Sequence, residues 1–436
     1  TLFKSPSRIS FVEQVRLRRI CYRGGIYLYG LLIHLASLFS TKARLWVQGR
    51  ANWKSSIDAL PTDRRWVWMH CASLGEFEQG RNLVDRIKAE HPEFSILITF
   101  FSPSGYVVRH NYPQADAVRY LPLDTPANAR YVIDHLQPAW VLWIRYEFWL
   151  EHLRVLAERA IPHVLVAVRL NEQNRYLKGF LAPLYQAAFK NFTHIFTQDE
   201  ATREQLVGLI PPQRLTVSAD TRFDRVLSNV KQKRRFHEIE NFIGKRLCLM
   251  GGSVWPTGEK MLVEAFSKLA LNLDCCLILA PHEISDSRLQ AWEDRWSGKS
   301  IRYSNIGQLR PSHSILWIDN VGMLAELYQY ADLAYVGGGW GSGLHNILEP
   351  SVFGCPILFG PKYHRFPEAQ DLIDAGGAFS FQDQSELNQL AEELLSSPEQ
   401  RSAIRQINQS WVRERAGATE KIMQWCIQQG WLSAKG

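Results

Sequence analysis

Short apolar runs, each closed by a cluster of small or polar residues and followed by a stretch with helical spacing, recur along most of this chain, and that alternation is what most limits its possible folds. Trp66 to Met69 runs into His70-Cys71-Ala72-Ser73-Leu74-Gly75, after which Phe77, Leu83, Val84 and Ile87 keep helical spacing as far as Ala89. The same unit returns at Phe94 to Phe101 (ending Ser102-Pro103-Ser104-Gly105), Ala117 to Leu121 (Pro122-Leu123-Asp124) and Trp140 to Arg145 (Tyr146-Glu147-Phe148-Trp149). It returns again at His163 to Val168 (Arg169-Leu170-Asn171) and His194 to Thr197 (Gln198-Asp199-Glu200). Runs apolar throughout suit strands buried on both faces, so the expectation is a parallel sheet with helices on each side. In such sheets the ligand crevice lies at the carboxyl ends of the strands. Ser73, Glu76, Ser102, Ser104, Asp124, Glu147, Arg169 and Asn171 all fall there. Glu76, at the start of a helix after a small-residue turn, is placed for acid/base chemistry; it also fits an ordinary first-turn Glu favoured by the helix dipole.

At 436 residues the chain exceeds one ordinary core, and a second series follows the first. The stretch from Phe223 to Lys245, with Lys231, Lys233, Arg234 and Arg235, has weak periodicity and reads as a linker. Leu247 to Met250 then leads into Gly251-Gly252-Ser253 and a helix from about Gly258, a geometry whose free backbone N–H groups suit a phosphate. Cys276 to Ala280 leads to Pro281-His282-Glu283, Ile315 to Ile318 to Asp319-Asn320, and Ile357 to Phe359 to Gly360-Pro361. Leu333 to Val336 leads into the block Gly337 to Pro350, which holds Gly337, Gly338, Gly339, Gly341 and Gly343 within seven residues. A glycine-rich turn entering a helix cradles phosphate with backbone amides, and Glu349, about one turn along that helix, could accept from a ribose diol. No GxGxxG fingerprint and no Walker loop occurs. Ser385 to Trp431 reads as two or three amphipathic helices, the last able to cross back onto the first domain. The expected division is 1–50, a basic and apolar membrane-associated segment; 51–228, an acceptor-binding domain; 245–410, a nucleotide-sugar-binding domain; and 411–436, a returning helix.

Charge is distributed unevenly. Residues 1–54 carry ten Lys or Arg against Glu13 alone, a net +9, so with +7 overall the remainder stands at −2. The apolar run Ile26 to Phe39 lies between Arg16, Arg18, Arg19 and Arg23 on one side and Lys42 and Arg44 on the other. Fourteen residues fall short of the roughly 20 that span a bilayer, and basic flanks on both sides do not suit a cleaved signal peptide. A helix lying in or dipping into an anionic membrane surface fits both length and charge, with packing on the body of the protein as the alternative. Nucleic acid ranks low as a partner, because the cations flank an apolar run and are not interleaved with aromatics. Seven cysteines, an odd number with no CxxC pair and no His cluster at zinc spacing, read as reduced thiols of a cytoplasmic protein.

Two doubly wound domains, a carboxylate in the first and a glycine-rich loop with a Glu in the second, resemble a glycosyltransferase of GT-B type, an α/β fold of two Rossmann-like domains facing a cleft. His70 to Glu76 (HCASLGE), Pro122-Leu123-Asp124, Glu147-Phe148-Trp149, Arg169-Leu170, Phe223-Asp224 and the block Gly337 to Pro361 occur in the order seen in the Kdo transferases. These enzymes move 3-deoxy-D-manno-octulosonic acid from its CMP conjugate to a lipid A precursor. The resemblance covers nearly the whole chain and implies a general base at Glu76. It implies donor contacts at Ser253, Pro281, His282, Gly338, Gly339, Asn346 and Glu349, and acceptor or cleft contacts at Ser73, Gly75, Asp124, Glu147 and Arg169. It further implies CMP-Kdo and a lipid A precursor as partners, an inverting reaction in lipopolysaccharide synthesis, no cofactor and no required divalent ion. The setting implied is the cytoplasmic face of a Gram-negative inner membrane. The chain departs from the family in three places. Arg145 stands where many members have an acid, Leu150 where many have Pro, and Val168-Arg169-Leu170 lacks the usual preceding Asn. A soluble nucleotide-sugar 2-epimerase on the same scaffold is the alternative enzyme, and a catalytically inert lipid-surface scaffold the alternative outside enzymes.

Overall fold

The computed structural model describes residues 11–171, 176–231, 234–341 and 343–433; Lys4, Arg8, Lys233 and Ser342 of the stretches above lie outside them. The described chain divides into two compact units, one running to Arg225 and resuming at Gly417, the other spanning Val226–Ala416. The boundaries expected from the sequence at 228 and 410 fall within the helices Thr221–Lys231 and Pro398–Glu414.

The first unit is built on a parallel sheet of seven strands among the described residues: β1 Arg65–Cys71, β2 Phe94–Phe100, β3 Ala117–Tyr120, β4 Trp140–Ile144, β5 His163–Val168, β6 His194–Thr197 and β7 Leu215–Val217. Their spatial order is β3-β2-β1-β4-β5-β6-β7. The chain therefore winds outward in one direction from β1 through β2 to β3, then returns and winds the other way from β4. Right-handed crossovers put the two sets of helices on opposite faces, and a crevice opens where the order reverses, between β1 and β4. Trp66, Trp68, Trp140 and Trp143 fill the sheet's two faces and are fully buried. The last helix, Ala418–Gln428, packs Ile422, Met423 and Cys426 into the same core as Val67 and Leu142. Asp224 caps its start by accepting from Gly417 N (2.5 Å) and Thr419 N (2.6 Å), which gives the Phe223-Asp224 pair a structural use.

The second unit repeats the plan with β8 Leu247–Val254, β9 Cys275–Pro281, β10 Ser300–Arg302, β11 Ile315–Trp317, β12 Leu333–Val336, β13 Ile357–Phe359 and β14 Ala378–Ser380, in the order β10-β11-β9-β8-β12-β13-β14. Its reversal lies between β8 and β12.

Two expectations are corrected. The stretch read as a linker holds the helices Thr221–Lys231 and His237–Ile243, which bury Phe223, Val226, Ile239, Phe242 and Ile243. Its many charges hid these apolar positions. Gly251-Gly252-Ser253 is not a loop but the end of β8, with Gly251 and Gly252 in register with Tyr335 and Val336 of β12. These glycines are required by close packing, since a Cβ on Gly252 would lie 1.8 Å from the Tyr328 hydroxyl.

At the N-terminal end, α1 (Phe11–Ala36) and α2 (Thr41–Gln48) meet at a bend of 119°. No single helix among the described residues is long and apolar enough to cross a membrane. One side of α1 is held to the first unit: Tyr22 donates to Asp124 (2.5 Å), Arg23 pairs with Glu151 through two bonds (2.8 and 3.1 Å), and Gly30 lies against Leu123. The other side leaves Leu28, Leu31, Leu32 and Leu35 more than half exposed, and Phe39 after it is 91% exposed. The seven cysteines are free thiols, all buried except Cys21.

Candidate active site

In the first unit the reversal of strand order is occupied by acid. β1 ends at Cys71, and its chain turns into the helix Leu74–Glu90, whose first turn carries Glu76. That carboxylate reaches back to accept from the backbone N–H groups of Ala72 (2.6 Å) and Ser73 (3.1 Å), as a residue in the first helical turn can. β4 ends at Ile144, and the turn after it delivers Glu147 to the same place, within hydrogen-bonding reach of Glu76. Glu147 is buried, and it accepts from Trp149 Nε1 (2.6 Å) with His70 Nε2 at 3.3 Å. His70 is wholly buried, bonded through Nδ1 to Thr99 (2.8 Å), and burial holds its pKa far below the usual value, so it is a neutral support.

Burial, and then the charge of Glu147, push the Glu76 carboxyl up to about 7, against the backbone bonds and the Arg145 charge that hold it back. Burial also raises Glu147 to about 7. Two carboxyls so close and so shielded do not both ionise readily, and the pair keeps a proton at pH values where free Glu has none. A group poised near neutrality that still has water-facing surface is what proton transfer needs.

Arg145 stands between β4 and Glu147 with φ +61°, a left-handed conformation unusual for a side-chain-bearing residue. Its buried Nε–H finds no acceptor among the described residues. A left-handed backbone thus carries, beside a carboxyl pair, a guanidinium donor with no acceptor among the described residues.

The second unit's reversal is built from backbone and aromatic rings. Ser253, at an irregularity in the β8–β9 pairing, has φ +50°. The glycine block folds back on it: Gly337 N donates to Gly252 O (2.9 Å), His345 N to Gly337 O (3.0 Å), and Gly338 has φ +95°. A Cβ on Gly338 would lie 2.0 Å from Gly343 O, one on Gly337 2.0 Å from Ser253 O and one on Gly339 2.7 Å from Gly360 N, so packing alone demands glycine at these three positions. Over this floor His282 stacks between Trp255 (4.3 Å) and His345 (4.6 Å), and Trp255 Nε1 donates to His345 Nε2 (3.1 Å). Glu349 accepts from Asn346 (3.0 Å) and lies in the first turn of the helix Leu348–Phe353, not one turn along it as the spacing had implied. That helix has six residues, too short for a strong dipole at the loop.

Comparison with known proteins gives these features a context. A family described as 3-Deoxy-D-manno-octulosonic-acid transferase (kdotransferase) matches residues 44–225. The 3-deoxy-D-manno-octulosonic acid transferase of Haemophilus influenzae is 24% identical over 82% of this chain and 85% of its own, and that of Aquifex aeolicus 26% over 76% and 86%. Together these matches support a Kdo transferase. Solved structures place the fold in the GT-B class: a UDP-GlcNAc 2-epimerase from Neisseria meningitidis superposes with TM-score 0.61, covering 83% of this chain and 100% of its own at 13% identity. A putative UDP-N-acetylglucosamine 2-epimerase from Listeria monocytogenes does so at 0.58, covering 84% and 96% at 15% identity. At such identities the likeness is one of fold.

The matches support a CMP-Kdo-dependent glycosyltransferase, and the expected site residues separate by use. Glu76, Ser73 and Glu147 meet at the first unit's reversal; Gly75 there is exposed with open space around it. In the second unit Ser253, Pro281 and His282 stand at the ends of β8 and β9, Gly338 and Gly339 just after β12, and Asn346 and Glu349 before and within the start of the helix Leu348–Phe353. Arg169, at the end of β5, is paired with Asp199 at 3.1 Å. Asp124 is a correction: it is wholly buried, and Tyr22, the backbone of Glu151 and His152, and His152 Nδ1 (2.6 Å) consume its oxygens, so it fastens α1 and is not open to an acceptor. Sequence reasoning passed over Trp255, His345 and Tyr328. His345 lay inside the glycine block it singled out and Trp255 two residues past Ser253, so proximity to a motif was the available signal.

Proposed function

We propose that this Kdo transferase moves Kdo from CMP-Kdo to a phosphorylated, acylated lipid A precursor with inversion, and that Glu76 is the general base. The observation that carries this is the buried carboxyl pair at the β1/β4 reversal, with Glu76 raised to about 7. In its ionised form Glu76 takes the proton of the acceptor's primary hydroxyl. That oxygen bonds to the anomeric carbon from one side while the carbon–oxygen bond to the CMP phosphate breaks on the other, CMP leaving with the electron pair. A single displacement of this kind inverts the anomeric centre.

In the second unit the donor's nucleotide has a cytosine platform in Trp255, His282 and His345, a partner for its ribose diol in Glu349 held by Asn346, and close backbone approach at Gly338, Gly339 and Ser253. The CMP leaving group already activates the donor, so a divalent ion is not required, and turnover is expected to survive EDTA. The exposed leucines of α1 and the cations before and after them suit contact with an anionic membrane surface.

The test is transfer from freshly made CMP-Kdo to a tetraacylated lipid A precursor in detergent, followed by mass spectrometry of the glycolipid and NMR of the new linkage. The expected result is addition of one or more octulosonic acid masses with inverted configuration, and none with Glu76→Ala while CMP still binds. Failure of wild type beside a competent control enzyme would remove the reading.

A further inference from the structure

A cavity of about 290 Å³ lies in the first unit where α1 and α2 meet the end of β2. Its walls are Tyr29, Ile33, Ala43, Trp46, Phe101 and Pro103, and the charged side chain on its lining is Lys42. The walls are fixed from beneath. Arg50, 7% exposed, donates to the carbonyls of Phe101 (2.6 Å), Leu121 (2.9 Å) and Trp46 (3.2 Å), and its guanidinium lies 4.0 Å from the Trp46 ring centroid, 4.7 Å from that of Phe101 and 4.6 Å from that of Tyr120. Tyr29 stands 6.0 Å from both Trp46 and Phe101. An apolar hollow with an immobilised aromatic floor loses little order on filling, which favours binding.

Two neighbours say what would fill it. Two of its walls, Tyr29 and Ile33, come from α1, the helix whose Leu28, Leu32 and Leu35 are more than half exposed. Toward the interior, the ring of Phe101 packs 4.4 Å from that of Trp149, and Trp149 donates to Glu147, the partner of Glu76. Ser102, also on the lining, donates its N–H to Ala72 O (2.6 Å), the residue whose own N–H holds Glu76. The hollow thus links an uncovered apolar surface to the carboxyl pair, with a cation at its edge.

We propose that this cavity is an acyl-chain subsite: it takes one hydrocarbon chain of the acceptor glycolipid, with Lys42 meeting an anionic group on the sugar, and so presents the acceptor hydroxyl to Glu76. The proposal rests on the glycolipid acceptor named above and assigns it a definite seat. Acylation then matters to turnover through this cavity and not only by holding the substrate at a membrane.

The experiment compares kcat/KM for the tetraacylated precursor with that for the same phosphorylated disaccharide stripped of its acyl chains, in wild type, Ile33→Trp and Ala43→Leu, each of which puts bulk into the hollow. Excluding several methylenes from an apolar seat is expected to lower the acylated-to-deacylated ratio roughly ten-fold or more. A precursor carrying a diazirine at the end of an acyl chain is expected to label peptides spanning Tyr29 to Trp46 and Phe101 to Pro103 in wild type, and to label them less in Ile33→Trp. An unchanged ratio in both variants with wild-type labelling elsewhere would overturn the subsite while leaving transferase activity standing. Equal labelling of these peptides by a diazirine phospholipid, undiminished by excess acceptor, would overturn the choice of occupant. Transfer by wild type to neither acceptor would remove the function and the subsite together.

Discussion

Both sheets reverse beside the first strand of their unit, β1 against β4 and β8 against β12, yet they fill the reversal with opposite materials. Between β1 and β4 stand two buried carboxyls supported by a neutral His and an indole N–H. Between β8 and β12 stand glycines packed to backbone contact under a stack of one Trp and two His. Topology alone therefore fixes where a site forms and says nothing of its chemistry. Residues that titrate near neutrality make one crevice a place for proton transfer. Residues with amides, ring faces and little bulk suit the other to the nucleotide role proposed for it.

The contrast breaks most sharply at Glu76. Glu76→Gln keeps a polar group to accept from Ala72 and Ser73 but removes the base, and is expected to lower kcat roughly 10²- to 10⁴-fold with CMP affinity, read by calorimetry, unchanged. The converse variant is Gly338→Ala. Its φ of +95° and the Gly343 carbonyl 2.0 Å from the added carbon should destabilise the second unit by about 1–3 kcal/mol and weaken CMP binding, while the pH profile of turnover stays in place. If Glu76→Gln lost CMP affinity, or Gly338→Ala moved the pH profile, the division of labour would be wrong.

A smaller effect sharpens the first half. The proposed mechanism needs Glu76 ionised, and with its carboxyl raised to about 7, kcat/KM should fall as pH drops through about 7. Glu147→Gln removes the neighbouring charge and should move that limb down by about one pH unit. Stability runs the other way. Both carboxyls bind protons more tightly folded than unfolded, so their contribution is full below the ordinary Glu value of 4.5 and is lost as pH rises through about 7. Glu147→Gln should therefore gain on wild type in urea-unfolding midpoint as pH is raised from 5 to 8.

Sequence gave good access to the strands and poor access to what joins them. The central strands declared themselves through unbroken apolar runs, whereas β7, β10 and β14 passed unnoticed. Each has three residues and each sits at a sheet edge, too short to show a period and half uncovered, so no pattern was imposed on it. Glu76 was legible from the turn before its helix, and Glu147 from its place at a strand end. That the two meet was not legible, because it depends on β1 and β4 being neighbours across an intervening 68 residues between Cys71 and Trp140, a fact of strand order. Asp124 looked equally available at a strand end and proved to be consumed by Tyr22 and His152, since hydrogen-bond partners brought from α1 leave no trace in local sequence.

The smallest expected effect concerns Arg145, where many relatives in this family were expected to carry an acid. Its charge holds the Glu76 pKa down, though less than burial and Glu147 raise it, so Arg145→Gln should lift the acid limb of the pH profile by only about a few tenths of a pH unit. Arg145→Lys keeps the charge and should leave that limb where it is. The two variants should agree, however, in raising the KM of whichever substrate presents its oxyanion to the planar guanidinium, about three- to ten-fold, because Lys cannot reproduce a two-pronged contact. A rise confined to CMP-Kdo would assign Arg145 to the donor's carboxylate; a rise confined to the precursor, and lost when its phosphates are removed, would assign it to the acceptor. No rise in either KM would reduce Arg145 to an electrostatic neighbour of Glu76, and the first unit's crevice would then differ from the second's by its acids alone.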